Sequence, residues 1–130
     1  MDLLLAVEEA AAQPAEKESY LNATSEDTIR SKAWTGKPAR MLKNKWTEAW
    51  ENPDNPDPLP MPLQGMITFD AMRRTSMYAG SGNTQEVSFN AAGQVIGQVK
   101  QVESVKDVIF RMINEYLDSI ERLNNLLPKE

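Results

Sequence analysis

The sequence predicts a mainly α-helical chain with little β structure. The strongest helical signal is the terminal segment 105–127, where apolar side chains recur every three or four residues along one stripe. Apolar and polar residues alternate from Thr28 to Trp34, which predicts one short strand near 28–34. Five of the eight prolines lie in the segment 53–62 and exclude regular structure there, because each removes a backbone donor and fixes φ.

The start of the chain should contain a strand and a helix. An apolar run through Val7 is too short to span a membrane, and we expect an N-terminal strand at 2–7. A Met directly before such a core-type segment is typical of an internal start or a gene fragment. Pro14 suits the first turn of a helix that runs to about Ala23, because the missing N–H costs nothing at that position.

Beyond the strand near 28–34, Gly36 and Pro38 indicate a turn. Apolar residues then lie at near-helical spacing, and this pattern predicts a helix over Ala39–Trp50. The prolines that follow predict a stiff, extended connector at 53–62. Its alternative interpretation is a ligand for a proline-recognising domain, but alternating apolar residues favour a segment packed along a surface.

Two more helices complete the chain. One is expected between Pro62 and Ala79, with a Met-rich apolar face. Such faces can bind partners, but we expect this one to be part of the core. Its apolar side chains are Leu63, Met66, Ile67, Phe69, Met72 and Met77. The terminal helix should start near Val105, behind a Ser104 cap, and end before Pro128. Its apolar stripe has no partner of matching length elsewhere in the sequence.

Composition excludes several kinds of site. The chain has 130 residues, a net charge of −5 and an acidic pI near 4.8, so we expect no nucleic-acid partner. Without any Cys or His, the sequence offers neither the usual metal ligands nor the commonest general base, and we assign it no catalytic and no metal-binding residue. A basic stretch from Thr28 to Thr47 lacks acidic residues, and we interpret it as a solvated face rather than an anion site.

The motif Gly93-Gln94-Val95-Ile96-Gly97 has two interpretations. Gly93 would let a planar ligand approach the backbone, and the Gln94 amide offers a donor and an acceptor. Alternatively, Gly93 and Gly97 allow tight helix packing. By contrast, the loop 80–83 lacks the strand and the Lys-Ser pair of a phosphate loop, so it is interpreted as the end of a helix.

Taken in order, these motifs resemble the C-terminal part of the nitronate monooxygenases. The resemblance is carried by Thr35–Asn44, Trp46–Glu51, Pro58–Leu63, Ala92–Gly97 and the long terminal helix, and it covers nearly the whole chain. It implies a parent α/β fold, an FMN-dependent TIM barrel with a smaller, mostly helical domain over the active-site mouth. The FMN-dependent enoyl reductases of fatty-acid synthesis share this build.

The resemblance also implies function and organisation. Family members oxidise alkyl nitronates with O2 through FMN, and the phosphate-binding loops and the histidine would lie upstream of this chain. Residues 1–23 would end the barrel, 24–92 would form a lid-like domain, and 93–127 would return to the barrel. Gly93 and Gln94 match the family's glycine-glutamine pair at the active-site mouth, as cofactor contacts.

The partners implied are therefore a nitronate-type small molecule, O2 and the missing barrel portion, in a cytoplasmic enzyme that contacts no membrane. We expect the chain alone to be inactive. A different class of function also stays open, in which the chain is a free-standing helical protein-interaction module derived from such a lid. Flavin binding by the purified chain would separate the two.

Overall fold

A computed structural model describes residues 2–127, so Met1 and residues 128–130 lie outside the description. The described part is mainly helical, as predicted. In chain order its elements are α1 (Pro14–Asn22), β1 (Thr28–Ser31), β2 (Ala39–Leu42), α2 (Lys45–Glu51), α3 (Leu63–Met77) and α4 (Val105–Leu126). Short 3₁₀ turns lie at Asp2–Leu4, Ser25–Asp27, Thr84–Val87 and Gln94–Gln98.

The expected N-terminal strand at 2–7 is wrong, because Asp2–Leu4 is a 3₁₀ turn followed by bends. Its apolar residues are nevertheless core, since Ala6 and Val7 are buried. The Val7 carbonyl accepts a hydrogen bond from Lys17 Nζ at 2.7 Å instead of from a neighbouring strand. An apolar run identifies burial, but a strand also needs a partner for its backbone groups.

The predicted strand is confirmed over Thr28–Ser31, where β1 pairs antiparallel with β2. The helix predicted over Ala39–Trp50 is wrong in its first part, which forms β2, and α2 begins only at Lys45. The reason lies in Met41 and Leu42, which are adjacent in sequence and point into different apolar clusters. Neighbouring residues of a strand face opposite sides, so both can be buried at once.

Two apolar clusters flank this hairpin. The first joins the N-terminal segment, α1, β2 and the segment 92–99, with Tyr20 and Ile96 fully buried. The second is centred on Trp34, whose ring stacks on Trp46 with centroids 4.4 Å apart. Phe89 meets the same Trp34 ring edge-on at 5.9 Å. The hairpin therefore links the two parts of the core.

α3 occupies the predicted position, but the side of the helix that packs most closely on the core is polar rather than the predicted apolar one. Its buried residues are Gln64 and Thr68, whereas Leu63 is 50%, Met66 71% and Ile67 58% exposed. The prediction that this apolar face is core is therefore wrong for Leu63, Met66, Ile67, Phe69 and Met77, whereas Met72 does pack against the Trp34 cluster. The polar side chains are buried because each finds a backbone partner: Gln64 Nε2 donates to the Ala33 carbonyl at 2.8 Å and Thr68 Oγ1 to the Trp34 carbonyl at 2.5 Å.

The connector 53–62 forms neither helix nor strand, as the prolines predicted. It passes directly over the turn between β1 and β2. A Cβ placed on Gly36 would lie 2.6 Å from the Met61 nitrogen and 2.9 Å from the Pro60 carbonyl carbon. Gly36 also has φ +76°, a conformation that glycine adopts without strain. Two of the motifs that carry the family resemblance are thus packed against each other.

Candidate cofactor-contact site

The segment that contains Gly93 and Gln94 is held beside β2. Leu42 N donates to the Asn90 carbonyl at 2.9 Å, and Ala92 N donates to the Arg40 carbonyl at 3.3 Å. Met41 and Ala91 form an isolated antiparallel bridge. The backbone of residues 90–92 therefore extends the hairpin, and the 3₁₀ turn Gln94–Gln98 follows directly.

Gly93 precedes this turn and lies against the carboxylate of Asp2. A Cβ at Gly93 would overlap the Asp2 carboxylate oxygen, so the space that glycine leaves is taken by the end of a flexible side chain. Gly93 itself has φ −84°, which any residue can adopt. Because the Asp2 side chain can move aside, neither the space nor the backbone conformation at this position strictly requires glycine.

Gly97 is explained by packing. A Cβ there would lie 2.6 Å from Ser25 Oγ and 2.7 Å from Ser25 N, which includes a backbone atom that cannot move aside cheaply. The same serine hydroxyl donates to the Gln94 carbonyl at 2.6 Å. Of the two interpretations of the motif, close packing thus accounts for Gly97.

The Gln94 side chain is exposed, and no described residue hydrogen-bonds to its amide. Its backbone is fixed by the Ser25 contact, while both amide groups stay available at the surface. Gly93 and Gln94 line none of three surface cavities of residues 2–127, which measure about 140, 240 and 200 Å³.

Tyr20 supports this segment and was not identified from the sequence. Its hydroxyl donates to Glu16 Oε1 at 2.9 Å and approaches the Ala91 carbonyl at 3.3 Å. Burial, followed by the hydrogen bond and the negative charge of Glu16 and the charge of Asp2, raises the pKa of Tyr20 far above its usual value. Tyr20 therefore stays a protonated donor and is unsuited to act as a base.

The described cavities are small. One of about 140 Å³ lies between α1 and the end of α3, lined by Ser19, Thr75 and Asn90 among other polar residues. Two shallower ones measure about 240 Å³ and 200 Å³. Ligand pockets for flavin-sized molecules are usually at least about 300 Å³.

A flavin phosphate also needs a cradle of donors, whereas the carboxylate of Asp2 occupies the space beside Gly93. Within residues 2–127, the space beside Gly93 therefore offers no such cradle. Within the same residues, no three acidic side chains come together as metal ligands. Among the helices of residues 2–127, none combines the length and the hydropathy of a membrane-spanning segment.

The basic stretch is exposed at the hairpin. Arg30 and Arg40 lie opposite each other in the register of β1 and β2, and both are exposed. Arg40 donates to Thr28 Oγ1 at 3.1 Å. Hydrogen bonds from the Thr24 side chain and backbone lower the pKa of Asp27, and the charge of the nearby Lys43 adds a smaller effect in the same direction. This arrangement agrees with the expected solvated face.

Comparison with known proteins decides the family. A family model for nitronate monooxygenase matches residues 3–115. The chain belongs to the nitronate monooxygenase family. This confirms the resemblance that the motifs carried and places the chain in a family of flavin-type oxidoreductases.

Two curated relatives agree with this family assignment. It is 41% identical over 127 residues to Rv1533 of Mycobacterium tuberculosis, a protein named as a monooxygenase, and the match covers 96% of the chain and 34% of that protein. It is 31% identical over 107 residues to a Bacillus subtilis protein named as a nitronate monooxygenase, covering 82% of the chain and 29% of that protein. The chain spans about a third of the length of the curated relatives it matches.

The solved structures support the predicted parent fold. FabK from Thermotoga maritima superposes with a TM-score of 0.73 at 23% identity, covering 95% of the chain and 37% of FabK. Its M276A mutant superposes with a TM-score of 0.63 at 24% identity, covering 95% of the chain and 34% of the mutant. At this identity the likeness shows the fold alone, that of a TIM barrel of which this mainly helical chain is one part.

Proposed function

We propose that the chain supplies the lid-like domain and terminal helix of a cytoplasmic FMN-dependent nitronate monooxygenase. The assembled enzyme would oxidise alkyl nitronates with O2. The observation that carries this proposal is the family match over residues 3–115, which includes both the hairpin and the Gly93–Gln94 segment.

The chain alone should be inactive. It contains no His and no Cys, and its described cavities are smaller than a flavin needs. Residues 1–23 would adjoin the barrel, 24–92 would form the lid-like domain, and 93–127 would return to the barrel. In this arrangement Gly93 and Gln94 would contact the flavin at the active-site mouth. The exposed side-chain amide of Gln94 supports this role, because no described residue hydrogen-bonds to it.

A chimaera tests the proposal. This chain would replace the matching third of the M. tuberculosis relative, and the purified protein would be assayed for bound flavin and for nitronate-dependent oxygen uptake. We expect a yellow protein that releases FMN on denaturation and consumes O2 with an alkyl nitronate. A chimaera that binds FMN but does not oxidise any alkyl nitronate would contradict the proposed reaction.

The role of Gln94 has a matched control in the same 3₁₀ turn. Gln94 and Gln98 are both exposed, so neither Gln94→Ala nor Gln98→Ala should disturb folding. In the chimaera we expect only Gln94→Ala to change the FMN dissociation constant or the KM for nitronate. If the two variants have the same FMN dissociation constant and the same KM for nitronate, the proposed contact of Gln94 with the active site is wrong.

A second candidate function is a helical protein-interaction module. It is favoured by the outward apolar side chains of α3 and α4, which include Met66 at 71% and Leu126 at 76% exposure. If the purified chain binds FMN by itself, as judged by flavin fluorescence after reconstitution, the module hypothesis fails. If the chimaera lacks both flavin and activity while the chain is folded, the module is the better account.

A further inference from the structure

We propose that the cavity between α1 and the end of α3 binds a small organic cation that carries several N–H donors, such as an alkylammonium or an alkylguanidinium ion. This site is separate from the candidate flavin contact, because neither Gly93 nor Gln94 lines the cavity. Three features of the lining lead to this ligand: a buried amide, a group of hydroxyl oxygens and the carboxylate of Glu16.

Asn90 is the buried residue that points to a ligand. It is 6% exposed, and it lines both this cavity of about 140 Å³ and the neighbouring one of about 240 Å³. Its backbone carbonyl accepts from Leu42 N at 2.9 Å, which fixes the residue beside β2. Within residues 2–127, however, no hydrogen bond satisfies its side-chain amide. Because buried amides normally have partners, this one marks a place where a bound molecule can supply them.

Three hydroxyl groups of the lining can only accept hydrogen bonds from a ligand. Each donates its proton to a backbone carbonyl three or four residues earlier in the chain, at 2.7 to 3.0 Å. These hydroxyl groups belong to Ser19, Thr75 and Ser88. A hydroxyl group has one donor, so only lone pairs remain on these oxygen atoms. The lining is therefore rich in acceptors and favours a ligand that is rich in donors.

Glu16 gives the cavity a negative charge. Among the described residues that line the cavity, it is the only ionisable one. Its Oε1 accepts from the Tyr20 hydroxyl at 2.9 Å, which holds the carboxylate in place, and no residue of the described part bonds to Oε2. A carboxylate binds a charged N–H group more strongly than a neutral donor. The favoured ligand is therefore a cation.

The end of α3 favours the same charge. Thr75 and Ser76, in the last turn of α3, line the cavity, and the C-terminal end of a helix carries partial negative charge. The basic residue of that turn, Arg74, is exposed and pairs with Asp70 at 2.7 Å. The first turn of α1 carries the opposite partial charge, but Glu16 lies in that turn and offsets it.

The size of the cavity limits the ligand to a small ion. A cavity of roughly this volume takes a molecule of about six non-hydrogen atoms. Ethylammonium and methylguanidinium ions are both below that limit. Phe89 adds an aromatic side chain to the lining, which is a favourable neighbour for an organic cation. Gln13 and Gln85 line the cavity and are exposed, so a ligand can enter from solvent.

An NMR titration of the full chain tests the site. The signals of the Asn90 side-chain amide are followed while ethylammonium, methylguanidinium or tetramethylammonium chloride is added at constant ionic strength. We expect saturable shifts with the first two ions and none with tetramethylammonium, which has the charge but no N–H donor. Tighter binding of ethylammonium would identify a compact cation as the ligand, and tighter binding of methylguanidinium a planar one.

Two matched variants of α1 separate the site from a general effect of charge. Glu16→Gln removes the charge inside the cavity but can still accept from Tyr20, and we expect both donor cations to bind at least about tenfold more weakly. Glu18→Gln removes the same charge from an exposed position outside the cavity and should leave the affinity within about twofold of wild type.

The comparison of the three ions uses the wild-type chain, so it does not depend on the folding of a variant. The absence of a saturable shift at Asn90 with both donor cations would overturn the site and leave the cavity to water alone. An equal response to tetramethylammonium would overturn the role of the acceptor groups. Equal affinities of folded Glu16→Gln and Glu18→Gln, as checked by circular dichroism, would overturn the role of Glu16.

Discussion

Replacing Gly36 with alanine should destabilise the fold by about 2–5 kcal/mol. Two effects contribute. At φ +76° an alanine costs about 1–2 kcal/mol relative to glycine. Its Cβ would also lie 2.6 Å from the Met61 nitrogen, and this backbone contact adds about 1–3 kcal/mol because the connector must shift.

Gly82 offers the matched control. It has φ +55°, but no atom lies within 4 Å of a Cβ placed there, so Gly82→Ala should cost only the conformational part, about 1–2 kcal/mol. Gly65 lies inside α3, also in open space, and Gly65→Ala should stabilise the fold by about 0.5–1 kcal/mol. The three variants differ by a single methyl group each from the wild type.

Urea denaturation followed by tryptophan fluorescence would measure the three free energies, since the stacked Trp34 and Trp46 report on the core beside Gly36. The reasoning requires Gly36→Ala to lose clearly more stability than Gly82→Ala. If both variants lose the same free energy of unfolding, the close contact between the connector and the turn at Gly36 is wrong.

Three further predictions concern single side chains. Gln64→Leu should cost at least about 2 kcal/mol in urea denaturation, because it leaves two backbone hydrogen bonds unmade; a loss below half of that would contradict the polar docking of α3. Hydrogen bonds from the Thr24 hydroxyl and backbone N–H lower the pKa of Asp27, so Asp27 stabilises the fold above its unfolded pKa and loses this effect as the pH falls through its folded pKa. Thr24→Val should raise that pKa in an NMR titration, and an unchanged value would refute the cause. Ser104→Ala should cost about 1 kcal/mol of stability and reduce helicity by circular dichroism, whereas the exposed Ser119→Ala should not.

The sequence predicted elements whose signals are local. The limits of α4 follow from a cap at Ser104 and a regular apolar stripe, and the start of α1 follows from Pro14. β2 was missed because Met41 and Leu42 fit a helical period as well as they fit two faces of a strand. The choice between them depends on pairing with β1, which periodicity does not record.

The candidate site stays a prediction. Gly93 and Gln94 were selected because they match a family motif, and the family itself is confirmed. The contacts around them could not be predicted, since Asp2 meets Gly93 and Tyr20 approaches Ala91 across 71 residues of chain or more. For α3, the apolar pattern was visible, but the two carbonyl groups that bind Gln64 and Thr68 were not.

The polar docking of α3 has a mechanical consequence. Apolar contacts between helices tolerate small rolls and slides, because dispersion and burial change little with angle. Hydrogen bonds are directional, and the two from Gln64 and Thr68 end on the carbonyls of consecutive residues, Ala33 and Trp34. A rotation of α3 about its axis that is large enough to break one bond would strain the other as well, because Gln64 and Thr68 lie one helical turn apart on the same face. The hairpin and α3 should therefore move as one rigid piece, with bending restricted to the segments that join it to its neighbours.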